Sequence, residues 1–241
     1  MKAYIQTDEN GDYYNVNAYV ASVGFKSLGF EVNKYFDANE VDDKEKDAIF
    51  VGGVGNVRKR LKNLAIDIPD EIEYPECLEK FLNRKIWSST LKEVIEKKQF
   101  GIFIKPKQTK LFQGKVINEF KDFIDLNYQD EVEIWCSELI PVVTEWRCFV
   151  RYGKLLDVRF YKGNWDSQLN LDIVNDAIVN YSNQPAAFCL DFGVDSDGNH
   201  YLIEVNDGHS LGTYGMGAIS YAKFLSARWS ELTSTEDFLN F

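Results

Sequence analysis

The sequence predicts a mixed chain in two stages: a small open α/β unit, then a larger α+β body rich in antiparallel strands. Three observations predict it. In residues 1–75 short apolar strand runs alternate with helically spaced apolar residues. Further on, strand runs are joined by tight-turn signals, Tyr152-Gly153-Lys154 and Asp195-Ser196-Asp197-Gly198-Asn199. The composition is globular: 241 residues, 45% hydrophobic, 15% aromatic and 27% charged, which supports a sizeable core and excludes a disordered tail or fibrous repeat.

Lys2 to Gln6 reads as a strand. Asn15 to Leu28 carries Tyr19, Val20, Val23 and Leu28 at helical spacing and stops at Gly29. Phe30 to Phe36 and Ala48 to Val51 are further strands, and Val57, Leu61 and Leu64 mark a second helix. Between them, Gly52-Gly53-Val54-Gly55 matches neither phosphate-loop pattern and reads as a tight strand-to-helix turn. The neighbouring Arg58-Lys59-Arg60-Lys62 run reads as a solvated helix face. Asp67 to Glu76, with two prolines and five acids, looks like a linker.

After it, Leu78, Phe81, Leu82, Ile86, Leu91, Val94 and Ile95 form a helical stripe, and Gln99 to Pro106 holds a strand. Val116, Ile117, Phe120, Phe123 and Ile124 mark another helix, and Val132 to Ile140 another strand. A hairpin (Trp146 to Arg151, Leu155 to Tyr161), a helix around Ile173 to Tyr181, a second hairpin (Ala187 to Val194, Tyr201 to Asn206) and a last helix (Tyr221 to Leu232) complete the chain.

Lys and Arg number 27 against 38 Asp and Glu, a net charge of −11, so an extended nucleic-acid footprint or an anionic membrane surface is disfavoured. No apolar run approaches the ~20 residues that span a bilayer, and the N-terminus lacks a signal-peptide core. Cys77, Cys136, Cys148 and Cys189 show no CxxC spacing and read as reduced buried thiols of a cytoplasmic protein. With His200 and His209 the only histidines, zinc is a poor fit.

The chemistry concentrates in three places. Glu204 and Asn206, two apart on a strand, share a face, and Asp191 can meet them from the paired strand. Carboxylates in apolar strand text need a compensating cation, and this oxygen set suits Mg²⁺, with arginine or lysine partners as the competing account. Lys105, Lys107, Lys110 and Lys115 gather in and after a strand that ends at Pro106 and suit a phosphate clamp. Arg147 and Arg159 can lie on neighbouring strands, near Glu138 and Glu145, as anion forks or as partners of cross-strand glutamates.

Ile104-Lys105-Pro106, a polar loop, Ser137-Glu138-Leu139-Ile140, Asp191-Phe192-Gly193 and Ile203-Glu204-Val205-Asn206-Asp207-Gly208, in that order, resemble the ATP-grasp superfamily. The Glu145-Trp146-Arg147 segment and the Arg159-Phe160-Tyr161 strand resemble its phage and bacterial clade named for an arginine and paired lysines. The likeness covers about residues 76–230. It implies an ATP-grasp fold, two α+β subdomains (76–140 with the lysines and loop, 141–241 with the metal ligands) clasping ATP, behind a pre-ATP-grasp domain over residues 1–75.

The resemblance further implies that Lys105 holds the α- and β-phosphates, with Lys115 or Lys107 as second cation. Glu138, Leu139 and Ile140 would meet adenine and ribose, and Glu145 would join the nucleotide site. Asp191, Glu204 and Asn206 would bind Mg²⁺, or Mn²⁺ in its place. Arg147 and Arg159 would face the γ-phosphate, and His209 and Ser210 would lie near substrate. Many relatives have arginine where Cys189 stands, which makes Arg147 or Arg159 the replacement. Lys107 to Gly114 would close as a lid. The implied activity is carboxylate–amine ligation through an acyl-phosphate, on small-molecule, peptide or protein substrates. A non-catalytic ATP-binding module and a phosphotransferase of the same fold are the alternatives. A protein kinase is excluded: Asp191-Phe192-Gly193 reads as DFG, but no histidine precedes His200 to form its catalytic loop.

Overall fold

The computed structural model describes residues 1–42, 44–108, 111–124, 126 and 131–241. The first unit comprises β1 (Lys2–Gln6), α1 (Val16–Ser27), β2 (Glu31–Tyr35), β3 (Ile49–Val51) and α2 (Val54–Asn63). Its three strands are parallel in the order β2-β1-β3, which requires a crossover, and α1 supplies the one from β1 to β2. Asn15 starts α1 by accepting the Ala18 N–H at 3.0 Å, and Gly29, at φ 82°, ends it. The turn from β3 into α2 is the tight one expected: a Cβ on Gly52 would fall 2.2 Å from the Tyr35 hydroxyl. The basic run on α2 is not uniformly solvated. Lys59 and Lys62 are exposed, but Arg60 is wholly buried over the Phe50 ring and donates to the Val41 carbonyl at 3.2 Å.

The next region holds α3 (Glu79–Leu82), β4 (Ile86–Thr90), α4 (Leu91–Glu96), β5 (Ile102–Pro106), β6 (Lys115–Ile117), α5 (Lys121–Ile124) and β7 (Glu133–Glu138). Its strands form an antiparallel sheet, β4-β7-β5-β6, here called the lysine sheet. Two helical expectations fail in it. The stripe from Leu78 to Ile95 is cut where Asn83, at φ 49°, ends α3, and Ile86 to Thr90 then pairs with β7. The face expected from Val116 to Ile124 splits because Lys115–Ile117 covers the edge of β5. Only Lys121–Ile124 is helical, its start capped by Asp122, which accepts the Asn118 and Glu119 N–H groups at 2.8 and 3.0 Å.

The last region is β8 (Val142–Arg151), β9 (Lys154–Gly163), α6 (Leu171–Asn180), β10 (Ala187–Asp195), β11 (His200–Asp207) and α7 (Ala218–Thr233). Both hairpins form, and they join as the antiparallel carboxylate sheet β11-β10-β8-β9. Asp195 shapes the β10–β11 turn by accepting the Asp197 and Asn199 N–H groups at 2.9 and 2.8 Å.

Three apolar clusters hold the molecule together. One joins α1 and the first sheet to α7 and to Phe149, Ala187 and Cys189, so the first unit shares its core with the carboxylate sheet. The second lies between that sheet, α3 and α6; Ile72 and Tyr74 pack against it, so the expected linker is partly built into the body. The third, smaller, belongs to the lysine sheet. All four cysteines are unbonded; Cys136, Cys148 and Cys189 are buried as expected, whereas Cys77 is exposed. No helix among the described residues is long and apolar enough to cross a membrane.

Candidate functional site

The lysine and carboxylate sheets meet across a cleft that contains a cavity of about 240 Å³, lined by Lys105, Lys107 and Gly114 on one side and Glu204 and Asn206 on the other. Lys105 Nζ lies 3.5 Å from Glu204 Oε2 and 4.4 Å from the centre of the Tyr74 ring. Burial disfavours its charge, but Tyr74 and Glu204 outweigh that and raise its pKa, so Lys105 stays cationic. Glu204 shows the complement: burial pushes it up, yet Lys105 and the Asn206 amide hold it below the usual carboxylate range.

Asp191, Glu204 and Asn206 do converge. Asp191 and Glu204 are directly paired across β10 and β11. The Asn206 amide donates to Glu204 Oε1 at 3.0 Å and to Asp191 Oδ2 at 3.3 Å, a donor between two carboxylates where a cation would also satisfy them. Asp191 is 1% exposed and is gripped by Arg147, whose Nε and Nη2 donate to Oδ1 and Oδ2 at 2.8 and 2.5 Å. Burial drives the Asp191 pKa up to about 6, against the pull of that guanidinium. The fork takes one lone pair of each Asp191 oxygen; the second on Oδ2 accepts the Asn206 amide and the second on Oδ1 remains to ligate. Among the described residues no three His, Cys, Asp or Glu side chains form a metal cluster; the set that fits a hard cation is two carboxylates and an amide oxygen.

The remaining expected residues are distributed unevenly. Lys107 shares the cleft with Lys105, sits 4.9 Å from the Trp135 ring centre and 3.8 Å from Glu133 Oε1. Lys115 instead donates to the Asp122 carbonyl at 2.9 Å. Thr109 and Lys110, in the loop expected to act as a lid, lie outside the described residues. Glu138, Leu139 and Ile140 form the joint between β7 and β8, with Glu138 Oε2 accepting the Lys85 N–H at 2.9 Å. Arg159 stands opposite Arg147 in the ladder but is bound to Asp157 at 2.6 Å, and Glu145 accepts from Tyr161 and Lys162 at 2.9 and 2.5 Å. Of the two arginines, Arg147 is therefore the one at Asp191; Tyr214 stacks 4.4 Å from its guanidinium.

His209 and Ser210 line a second cavity, of about 370 Å³, together with Asn206, Arg58, Asp70 and Glu71. Glu71 and Ile72 border both cavities, so the acidic segment runs between them. Several residues here had no sequence signal strong enough to single them out. Tyr74 and Glu73 sit in the supposed linker, and Arg84 ties down β11 by donating to the Leu202 and Ile203 carbonyls at 2.7 and 2.9 Å. Arg228 did carry a signal, a charge inside the apolar stripe of the last helix. It grips Asp207 at 2.7 and 2.5 Å.

Two facing sheets, cations projecting from one and acids from the other, define the class: this is an ATP-grasp fold. The family model described as ATP-grasp domain, R2K clade family 2, matches residues 81–224, and the chain belongs to that family. Among solved structures, the D-alanine–D-alanine ligase of Bacillus anthracis, complexed with ATP, is similar over 97% of each chain at 16% identity and a TM-score of 0.59. The L-amino acid ligase of Bacillus licheniformis is similar over 96% of this chain and 75% of its own, at 12% identity and a TM-score of 0.58. The macrocyclase MdnC of Microcystis aeruginosa, bound to its precursor peptide, covers 93% of this chain and 99% of its own at 12% identity, with a TM-score of 0.52. No curated protein matches the chain.

Proposed function

We propose that this chain is an ATP-dependent carboxylate–amine ligase, joining a carboxylate to an amine through an acyl-phosphate. One observation carries the reading: Lys105 on one sheet and Glu204 and Asn206 on the other, the latter hydrogen-bonded to Asp191, face the same cleft, at 3.5 Å in the Lys105–Glu204 contact. Ligases among the structural neighbours support it in kind.

In this reading Lys105 and Lys107 hold the α- and β-phosphates. Glu138, Leu139 and Ile140 contact adenine and ribose at the joint between the sheets. Asp191, Glu204 and Asn206 would hold Mg²⁺. Bound there, the ion would neutralise charge on the triphosphate, which otherwise repels an attacking carboxylate. Arg147, fixed by Asp191 and flanked by Tyr214, presents the edge of its guanidinium to charge developing on the transferred phosphoryl group. Arg159 serves the carboxylate substrate further along the sheet. Segment 107–114 excludes water from the acyl-phosphate.

The test is ADP release from MgATP across a panel of amino acids and small carboxylic acids, with products identified by mass spectrometry. Amide products dependent on both partners are expected, and Glu204→Gln should lower turnover by about 10²-fold or more with the fold retained. ADP formation that needs no amine would turn the assignment to a phosphotransferase, and unchanged turnover in Glu204→Gln would refute the metal site.

A further inference from the structure

We propose that His209 is the base that deprotonates the incoming amine, and that the 370 Å³ cavity between α2 and the loop after β11 admits that amine as an ammonium ion. The inference rests on the ligase reading above. His209 lies just beyond the metal-ligand pair of β11, on the wall of the cavity that also holds Asn206. Its side chain is 9% exposed, and Nδ1 lies 2.8 Å from Asp207 Oδ1, off the line of an ideal hydrogen bond. Arg228 holds Asp207 by both oxygens. That two-point guanidinium fork keeps Asp207 a carboxylate. A permanent carboxylate can only accept, so the neutral ring keeps its proton on Nδ1 and leaves the Nε2 lone pair available. Nε2 is buried and has no partner among the described residues.

The other charged groups around the cavity suit this role. Asp70 on the cavity wall draws in a cation, while Arg58 of α2 is paired with Glu71 at 3.1 Å and adds no surplus positive charge. Behind Asp207, Arg228 also pairs with Glu231 at 2.6 Å, so two carboxylates share one guanidinium and the surplus charge is negative, which suits a transient imidazolium. Tyr14 also lines the cavity.

The step balances. The ammonium gives one proton to Nε2, and the freed amine attacks the acyl carbon. A C–N bond forms, the C–O bond to the phosphoryl group breaks, and phosphate leaves with that electron pair and the second amine proton. The imidazolium then releases its proton to solvent.

The experiment uses the full chain with MgATP and the proteinogenic L-amino acids, followed as dipeptide, or as hydroxamate when hydroxylamine is added. Hydroxylamine is unprotonated at neutral pH and needs no base. His209→Gln should lower dipeptide formation about 10²-fold while the hydroxamate rate shows that the acyl-phosphate still forms. Equal loss of both products, or loss of neither, overturns the assignment. A second arm needs no substrate. With only two histidines, long-range ¹⁵N spectra of the wild-type chain should show His209 as the Nδ1–H tautomer, and a proton on Nε2 overturns it. If no amino acid elicits ADP release, the ligase reading fails by itself, and the spectrum still decides the ring.

Discussion

The two sheets that face the cleft handle charge in opposite ways. In the carboxylate sheet every residue of β10 is buried, and its acid is held by a guanidinium one strand away. In the lysine sheet the cations come at or just beyond the end of β5, rest on the aromatic faces of Tyr74 and Trp135, and meet carboxylates only at 3.5 and 3.8 Å. The core beneath them is also the smallest of the three. The difference teaches where rigidity is needed. In the proposed function the acids would have to present fixed oxygens, and Asp191 is set in a wholly buried strand. In the proposed function the lysines would follow a triphosphate through binding and release, and they stay on a lighter element at the border of solvent.

That contrast can be broken or sharpened by mutation. The largest effect is expected at Asp191→Ala, which strands Arg147 as a buried unpaired charge and should cost about 3–5 kcal/mol of stability, measured by denaturant unfolding. A cost under about 1 kcal/mol would mean that Arg147 reaches water and that the carboxylate sheet is no more rigid than its partner. Lys105→Ala should leave stability nearly intact yet weaken MgATP binding about 10- to 100-fold by calorimetry, the worth of one charge-assisted contact. Lys107→Ala should weaken binding about fivefold and Lys115→Ala less than twofold, because only Lys107 shares the cleft. A reversal of that order would move the second phosphate contact to β6. The smallest effect belongs to Lys162→Ala, which removes an exposed partner of Glu145 and should change stability by no more than about 0.5 kcal/mol.

The legible parts of the fold were those written in local pattern. Both long hairpins, the parallel first unit and the last helix follow from periodicity and turn chemistry, and the Asp191 to Glu204 pairing follows from strand alternation. Local pattern misled where a short segment was recruited as an edge. Ile86 to Thr90 and Lys115–Ile117 carry apolar residues at helical spacing, but each completes a ladder that a distant strand leaves open. Composition misled at residues 67–76, whose acids and prolines look like a tether. Ile72 and Tyr74 bury against the body, and Glu71 and Glu73 border the cleft.

By itself the sequence determined which chemical groups this protein commits to its cleft, namely paired acids with an amide on adjoining strands, and lysines at a strand end. Those depend on spacing along one strand or across one hairpin, which short-range geometry dictates. Only the tertiary structure decided which cation meets which acid. Arg147 and not Arg159 reached Asp191, Lys107 and not Lys115 reached the cleft, and Asp207 was handed to an arginine on the final helix. Those choices turn on how separately formed elements pack. A buried charge takes whichever counter-charge the packing brings within reach, and residue spacing alone does not encode that distance.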